Sequence, residues 1–221
     1  VAVAYVNLVG GQDDLVFDGD SFLVDANQKL IGRAAQFETG LMLFDIESKT
    51  SITPVTASAQ HKQDDYWQIW NALVLGLRDY VNKNGFKSVV LGLSGGIDSA
   101  VCASLAVDAL GNDRVFGVSM PSVYSSEHSK SDAFELADRL GLQIRTESIG
   151  PLVDVFEENL HLSGLASENL QARMRGVILM ALSNQEGHLV LTTGNKTELA
   201  VGYSTIYGDS VGGFAPIKDV E

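Results

Sequence analysis

LGLSGGIDSA, residues 91–100, decides the fold. On its N-terminal side KSVVLGL (87–93) is an apolar run of strand length, and on its C-terminal side SAVCASLAVDAL (99–110) has the length and composition of a buried helix. Two glycines between hydroxyl residues therefore sit where a strand hands over to a helix. Gly95-Gly96 lets backbone N–H groups approach an anion, Ser94 and Ser99 add hydroxyl donors, and the following helix presents its positive end. From Gly92 the stretch reads G-L-S-G-G-I-D-S, which lacks the lysine of G-x-x-x-x-G-K-[ST] and fails the spacing of G-x-G-x-x-G. Without a lysine such a loop suits phosphates that are left behind better than a γ-phosphate in flight. Asp98 in its middle would repel phosphate unless a divalent cation bridged them, so the loop asks for Mg²⁺. The plainer account is a tight turn in which Ser99 or Asp98 is the helix N-cap.

Working outward, strand and helix alternate over most of the chain. Tyr66, Trp70, Leu73, Val74, Leu77, Tyr80 and Val81 recur at helical spacing ahead of Gly85. Beyond the loop, RVFGVSM (114–120) reads as a strand and HSKSDAFELADRL (128–140) as a helix closed by Gly141. LQIRTESI (142–149) reads as a strand, PLVDVFEENL and SENLQARMRGVILMALSN as helices, and HLVLTT (188–193) as a strand. Such alternation predicts an α/β fold, a parallel sheet with helices on both faces. Ligands in such sheets sit beyond the carboxyl ends of the strands. SGGIDS, SMPS and TTGNKTE fall at three of those ends.

The first 47 residues differ. VAVAYVNLV is a buried-strand run ended by Gly10-Gly11, DSFLVD and KLIGRAAQF follow turn signals, and LMLFDI closes the segment as a last strand. Residues 48–63, SKTSITPVTASAQHKQ, show no periodicity and read as a linker.

Composition narrows the class of function. Among 221 residues, Lys+Arg total 15 against Asp+Glu 28, a formal net charge of -13. That balance argues against a nucleic-acid groove, which needs clustered cations. The single cysteine, Cys102, excludes an intrachain disulfide framework and lies in an apolar run as a small core residue. No apolar run reaches the ~18 residues of a membrane span and no signal segment opens the chain, so a reducing, cytoplasmic setting is the simplest fit. The chain opens VAVAYVNLVGG without methionine and stops mid-pattern, and it reads as a fragment of a longer protein.

Two further stretches carry chemistry. In LTTGNKTELAVGYSTIYGD (191–209) a strand ends at Thr192-Thr193 and Glu198 falls in the next helix's first turn, where its carboxylate would meet a metal opposite Asp98 or simply complement the helix dipole. Tyr207-Gly208-Asp209 and Gly212-Gly213 read as a flexible loop that closes over a substrate, or as a surface turn. In SENLQARMRG, Asn169 and Arg173 are four apart on one helical face and suit a phosphate, ribose or carboxylate, or else a solvated face.

The pattern S-G-G-x-D-S resembles the pyrophosphatase-loop signature of the ATP pyrophosphatases. Together with SMPS, ENLQAR, TTGNKTELAVGY and YGD it resembles NAD synthetase over residues ~64–221, while YVNLVGGQDDLVFDGDSFLVD is similar to the later part of a nitrilase-type amidase domain, as in glutamine-dependent NAD synthetases. The resemblance implies a Rossmann-like, adenine-nucleotide α-hydrolase-like domain preceded by the remnant of an α/β-sandwich amidase. The expected boundaries are 1–50 for the glutaminase segment, 51–63 for the linker and 64–221 for a C-terminally incomplete synthetase domain. The implied reaction joins deamido-NAD to ATP as an adenylate, releases pyrophosphate, and displaces AMP with ammonia derived from glutamine. It implies that Gly92, Leu93, Ser94, Gly95, Gly96, Ile97, Asp98, Ser99, Met120 and Thr193 bind ATP. Asn169, Arg173, Glu198 and Asp209 face deamido-NAD, and Asp98 and Glu198 hold Mg²⁺. It also implies a homo-oligomer.

Three departures stand beside that match. Nitrilase-type amidases use a Glu-Lys-Cys triad, and Cys102 lies in the wrong half to be its nucleophile, so no glutaminase activity is expected of this chain. The family lysine after Tyr-Gly-Asp falls just past Glu221, and Ile206 stands where ammonia-dependent relatives carry lysine. The rivals are another pyrophosphatase-loop enzyme such as GMP synthetase, which leaves TTGNKTELAVGY unexplained, and a non-catalytic ATP-binding module.

Overall fold

A computed structural model describes residues 1–56, 63–122 and 126–221. The chain divides into two compact units, Val1–Tyr80 and Val81–Glu221.

In the first unit, β1 (Val3–Tyr5), β4 (Phe22–Val24) and β5 (Leu30–Arg33) form an antiparallel sheet in the order β1-β4-β5. β2 (Val9–Gln12) and β3 (Leu15–Asp18) form a hairpin, and β6 (Phe44–Ile46) pairs with β7 (Ile52–Pro54). The expected single strand VAVAYVNLV is therefore two, and it is not buried, since Val3 and Tyr5 are 50% and 47% exposed. Gly10-Gly11 does not end it either. β2 runs through both glycines, because the helix α1 (Asp65–Lys83) approaches there. A Cβ on Gly11 would lie 3.1 Å from Gly76 Cα, and the Gly11 N–H donates to Asp79 Oδ2 at 2.8 Å. LVFD was not expected to be a strand. The expected linker is also partly ordered: Ile52–Pro54 is β7, and residues 57–62 lie outside the described residues.

The periodic stretch from Tyr66 is α1, as expected. Its N-terminal part belongs with the first unit rather than the second. There Phe37 tilts against Trp67 at 5.6 Å between ring centroids, and Gln36 Nε2 donates to Gln68 Oε1 at 3.1 Å.

The second unit is the expected parallel sheet. β8 (Val89–Gly92), β9 (Val115–Ser119), β10 (Gln143–Thr146) and β11 (Leu189–Val190) lie in the order β10-β9-β8-β11, all parallel. Val89, Val90, Val115, Val118 and Val190 are at most 2% exposed, as strands covered on both faces require. α2 (Ile97–Leu110) and α3 (Glu127–Leu140) pack on β8, β9 and β10. α4 (Gly150–Leu160) and α5 (Leu165–Glu186) supply Val153, Leu170, Met174 and Leu179 to a core with Val90, Val118 and Val190. α2 sits close because Cys102, Ala103 and Ala106 are small and fully buried. Truncating its fully buried Leu105 to alanine would cost about 2–5 kcal/mol. The last helix, α6 (Lys196–Val201), follows β11.

At the opposite end from the strand tips, Ser88 Oγ and His188 Nδ1 are 2.6 Å apart, and His188 Nε2 meets Glu186 Oε2 at 3.0 Å. Arg145 Nη1 donates to Glu186 Oε1 at 2.8 Å, and this bond leads the causes that hold the Glu186 carboxyl below its ordinary range. These bonds satisfy polar atoms that the ends of β8 and β11 would otherwise bury unpaired.

Candidate functional site

The sheet order reverses between β8 and β11, and a crevice opens at such a switch point beyond the carboxyl ends. A cavity of about 490 Å³ lies there. Its walls come from Gly92–Ser94 after β8, Ser119–Pro121 after β9, and Thr192–Gly194 after β11, the three strand ends singled out in the sequence.

The SGGIDS loop is built on its own serines. Neither Ser99 nor Asp98 is the N-cap of α2: the N-cap is Gly96, with no side-chain cap. Ser99 is one turn further in and buried, its Oγ donating to Gly96 O at 2.9 Å. Ser94 Oγ accepts from the Gly96 N–H at 3.1 Å. Gly95 has φ +81°, and a Cβ there would lie 2.4 Å from Ser129 O on α3. The loop is thus clamped from both sides. Gly92, Leu93, Ser94, Asp98, Ser99, Met120 and Thr193 line the cavity, whereas Gly95, Gly96 and Ile97 shape the turn without lining it.

Asp98 and Glu198 both line the cavity and are joined by one side chain. Asn195 Nδ2 donates to Asp98 Oδ1 at 3.0 Å, and Asn195 Oδ1 accepts from the Glu198 N–H at 2.9 Å. Glu198 Oε2 accepts from the Asn195 N–H at 3.1 Å, which completes a capping box at the start of α6. Glu198 is therefore a capping residue and a cavity carboxylate at once. Among the described residues no group of three or more His, Cys, Asp or Glu side chains is arranged to hold a metal. Two carboxylates suit Mg²⁺, which takes one or two protein oxygens and fills its remaining positions with phosphate and water.

The other expected residues divide. Asp209 lines the cavity. Asn169 and Arg173 do not: Asn169 Oδ1 accepts from Thr205 Oγ1 at 2.9 Å, and Arg173 Nε donates to Ile206 O at 3.2 Å. They hold the loop that carries Asp209. That loop packs tightly on α5, where a Cβ on Gly176 would lie 2.9 Å from Tyr207 O. Gly212-Gly213 is not a flexible closing loop. Gly213 N donates to Val190 O and Thr192 N to Phe214 O, both at 2.9 Å, and Leu191 bridges Phe214 in parallel. A Cβ on Gly212 would meet Thr192 Cγ2 at 2.5 Å, so these glycines allow a close approach to the sheet edge.

Sequence reading missed Asn195 and Arg175. Arg175 lines the cavity, its Nε donating to Met120 O at 3.2 Å, and burial lowers its pKa. It stands two residues from Arg173, about 200° around the helix, so the i,i+4 pairing that found Asn169 and Arg173 passed over it. The signal for Asn195 was the N-x-x-E of a capping box. Cys102 is buried, as expected, and its thiol is pushed up to about 12 by desolvation and then by the charge of Asp98. A thiol-directed reagent at pH 8 should leave the native protein unlabelled and modify one cysteine per chain on unfolding, readable by intact mass.

A parallel sheet with a glycine-rich strand-to-helix loop and paired carboxylates at its switch point defines a Rossmann-like α/β domain with an anion-site loop. The family model described as NAD synthase matches residues 69–221, and the chain belongs to that family. A glutamine-dependent NAD(+) synthetase of Synechocystis is 49% identical over the whole chain, which spans 40% of that relative. The solved structure of the glutamine-dependent NAD+ synthetase from Acinetobacter baumannii, in complex with ADP, superposes with a TM-score of 0.94 at 45% identity. It covers all of this chain, and this chain covers 43% of it. An NH3-dependent NAD synthetase from Campylobacter jejuni, 35% identical, covers 72% of the chain with a TM-score of 0.68, and 69% of its own length is matched. The chain thus spans about two fifths of the glutamine-dependent relatives.

Proposed function

We propose that this chain carries the synthetase chemistry of a glutamine-dependent NAD⁺ synthetase: ATP-dependent amidation of deamido-NAD, with release of AMP and pyrophosphate. The observation that carries this reading is the cavity at the switch point. It gathers Ser94, Asp98, Ser99, Met120, Thr193 and Glu198, six residues from three strand ends that the family pattern associates with ATP and Mg²⁺. Residues 1–50 then belong to the nitrilase-type glutaminase segment and residues 64–221 to the ATP-pyrophosphatase domain. The A. baumannii relative's complex with ADP supports an adenine nucleotide as a ligand.

In this reading a carboxylate oxygen of the nicotinate attacks the α-phosphorus of ATP, and the bond to the bridging oxygen breaks to release pyrophosphate. Ammonia then attacks the mixed-anhydride carbonyl, loses a proton and expels AMP. The loop N–H groups and the Ser94 and Ser99 hydroxyls hold the phosphates, and Met120 borders the adenine. Asp209 faces deamido-NAD, with Asn169 and Arg173 fixing its loop. Asp98 and Glu198 would hold Mg²⁺, which would supply neutralisation of the charge developing on the phosphates. Positioning and charge neutralisation carry the chemistry in this reading, without a general base.

The net charge of -13 fits small anionic substrates bound through a cation rather than nucleic acid. Among the described residues no helix is long and apolar enough to cross a membrane. Cytoplasmic placement and a homo-oligomer complete the reading, the latter checked by light scattering.

The test supplies ATP, Mg²⁺, deamido-NAD and ammonium, and follows AMP, pyrophosphate and NAD⁺ together. Equal yields of all three, dependent on deamido-NAD, are expected. ATP binding without pyrophosphate release, in this chain and in a full-length relative alike, would identify a binding module instead.

A further inference from the structure

We infer that Asn195 is a positioning residue that sets the Asp98 and Glu198 carboxylates as a pair before a cation arrives. The inference rests on the reading of those carboxylates as the Mg²⁺ site and adds a residue to it. Asp98 stands on α2 and Glu198 on α6, 100 positions apart in sequence, so neither helix alone fixes their relation. Asn195 is the side chain that bonds to both segments. Its Nδ2 donates to Asp98 Oδ1 at 3.0 Å, and its Oδ1 accepts from the Glu198 N–H at 2.9 Å. Its own N–H donates to Glu198 Oε2 at 3.1 Å. All three residues are half-buried, where an unpaired carboxylate is costly and two facing ones repel.

The division of labour between the two ends of the amide follows from its chemistry. Oδ1 is an N-cap acceptor, a role that serine or threonine fills as well. Nδ2 is a donor with reach to the opposite helix, which neither serine nor threonine reproduces at that distance. A cap is a matter of stability. The Nδ2 bond instead restrains one oxygen of Asp98 and leaves the other for a ligand. Partners of this kind orient metal ligands, and losing them typically costs about 10–100-fold in metal affinity.

Separating the two roles gives the test. Asn195→Ser and Asn195→Thr keep the cap and delete the donor. For each, and for Asp98→Asn, we would measure thermal unfolding without divalent ions and Mn²⁺ binding by electron paramagnetic resonance, with and without ATP. The expected result is a melting temperature within a few degrees of the parent, with Mn²⁺ affinity in the presence of ATP reduced about 10-fold or more. Parent-like Mn²⁺ affinity in both capped variants, with Asp98→Asn binding poorly, would overturn the positioning role and leave the metal site standing. Equal losses of thermal stability and Mn²⁺ affinity would overturn it too, since a cap alone explains them. If Asp98→Asn binds Mn²⁺ like the parent, the metal site itself fails and takes the inference with it.

Discussion

Gly95→Ala should abolish ATP binding and destabilise the fold, because the added methyl has nowhere to go. Two costs combine at this position. Gly95 has φ +81°, a conformation that costs an L-residue about 1–2 kcal/mol. The Cβ would also lie 2.4 Å from Ser129 O, 2.8 Å from Ser129 Cα and 3.0 Å from Ser129 C, all backbone atoms of α3. No rotamer relieves a clash made by Cβ itself, so the loop or the helix must move, at about 1–3 kcal/mol of overpacking strain. Movement of the loop re-aims the N–H groups that its anion site depends on. A loss of at least about 100-fold in ATP affinity by calorimetry is expected, with a fall of several degrees in melting temperature. Gly187→Ala is the control: its φ is also +81°, but nothing lies within 4 Å of the added Cβ. It incurs the dihedral cost alone and should bind ATP normally. If Gly95→Ala bound ATP as Gly187→Ala does, the clamped-loop account would be wrong.

The legibility of this chain divides along a physical line. The parallel sheet was readable because strands buried on both faces are continuous apolar runs, as KSVVLGL and RVFGVSM are, and because glycines punctuate helix ends, as at Gly141. SGGIDS was readable because a glycine pair between hydroxyls needs no distant partner to make sense. The failures are residues whose role is set by something far away in sequence. Gly10-Gly11 looked like a strand terminator, and only the approach of Gly76 shows why glycine is there. Gly212-Gly213 looked like a flexible closing loop until the bond from Gly213 N to Val190 O, and that from Thr192 N to Phe214 O beside it, placed it at the sheet edge. Asn169 and Arg173 were correctly paired by helical spacing, yet their targets are Thr205 and the carbonyl of Ile206 rather than the cavity. Asn195 was passed over, although the N-x-x-E that it opens is a capping-box pattern and it does cap α6. Its side-chain bond to Asp98, 97 positions away, has no signature in local sequence.

Asp98→Asn should bind metal-free ATP more tightly than the parent and MgATP less tightly. The substitution is isosteric, and the amide keeps an oxygen to accept from Asn195 Nδ2, so the local hydrogen bond survives. What changes is one negative charge at the edge of the phosphate loop. Without a cation, that charge and the triphosphate repel: at an effective dielectric of about 20, two unit charges ~5 Å apart differ by about 3 kcal/mol, an upper figure for a half-exposed site. Removing it should therefore tighten the binding of metal-free ATP. With Mg²⁺ present the sign reverses, because the parent gains a carboxylate ligand that the variant lacks, and the parent should bind MgATP more tightly. The turnover of ATP to pyrophosphate should fall by about 10²–10³-fold, the range seen when one preorganised electrostatic contact is lost. The crossing of the two affinities is diagnostic in a way that lost activity is not. A misfolded variant would bind both forms of ATP poorly, and a carboxylate that merely satisfied Asn195 would leave both unchanged. Titrating ATP into parent and variant, first with a chelator and then with excess Mg²⁺, distinguishes the three cases on one instrument. If the chelated and Mg²⁺-loaded affinities both tighten, Asp98 does not act through a cation. The loop would then hold phosphate by its backbone and serines alone.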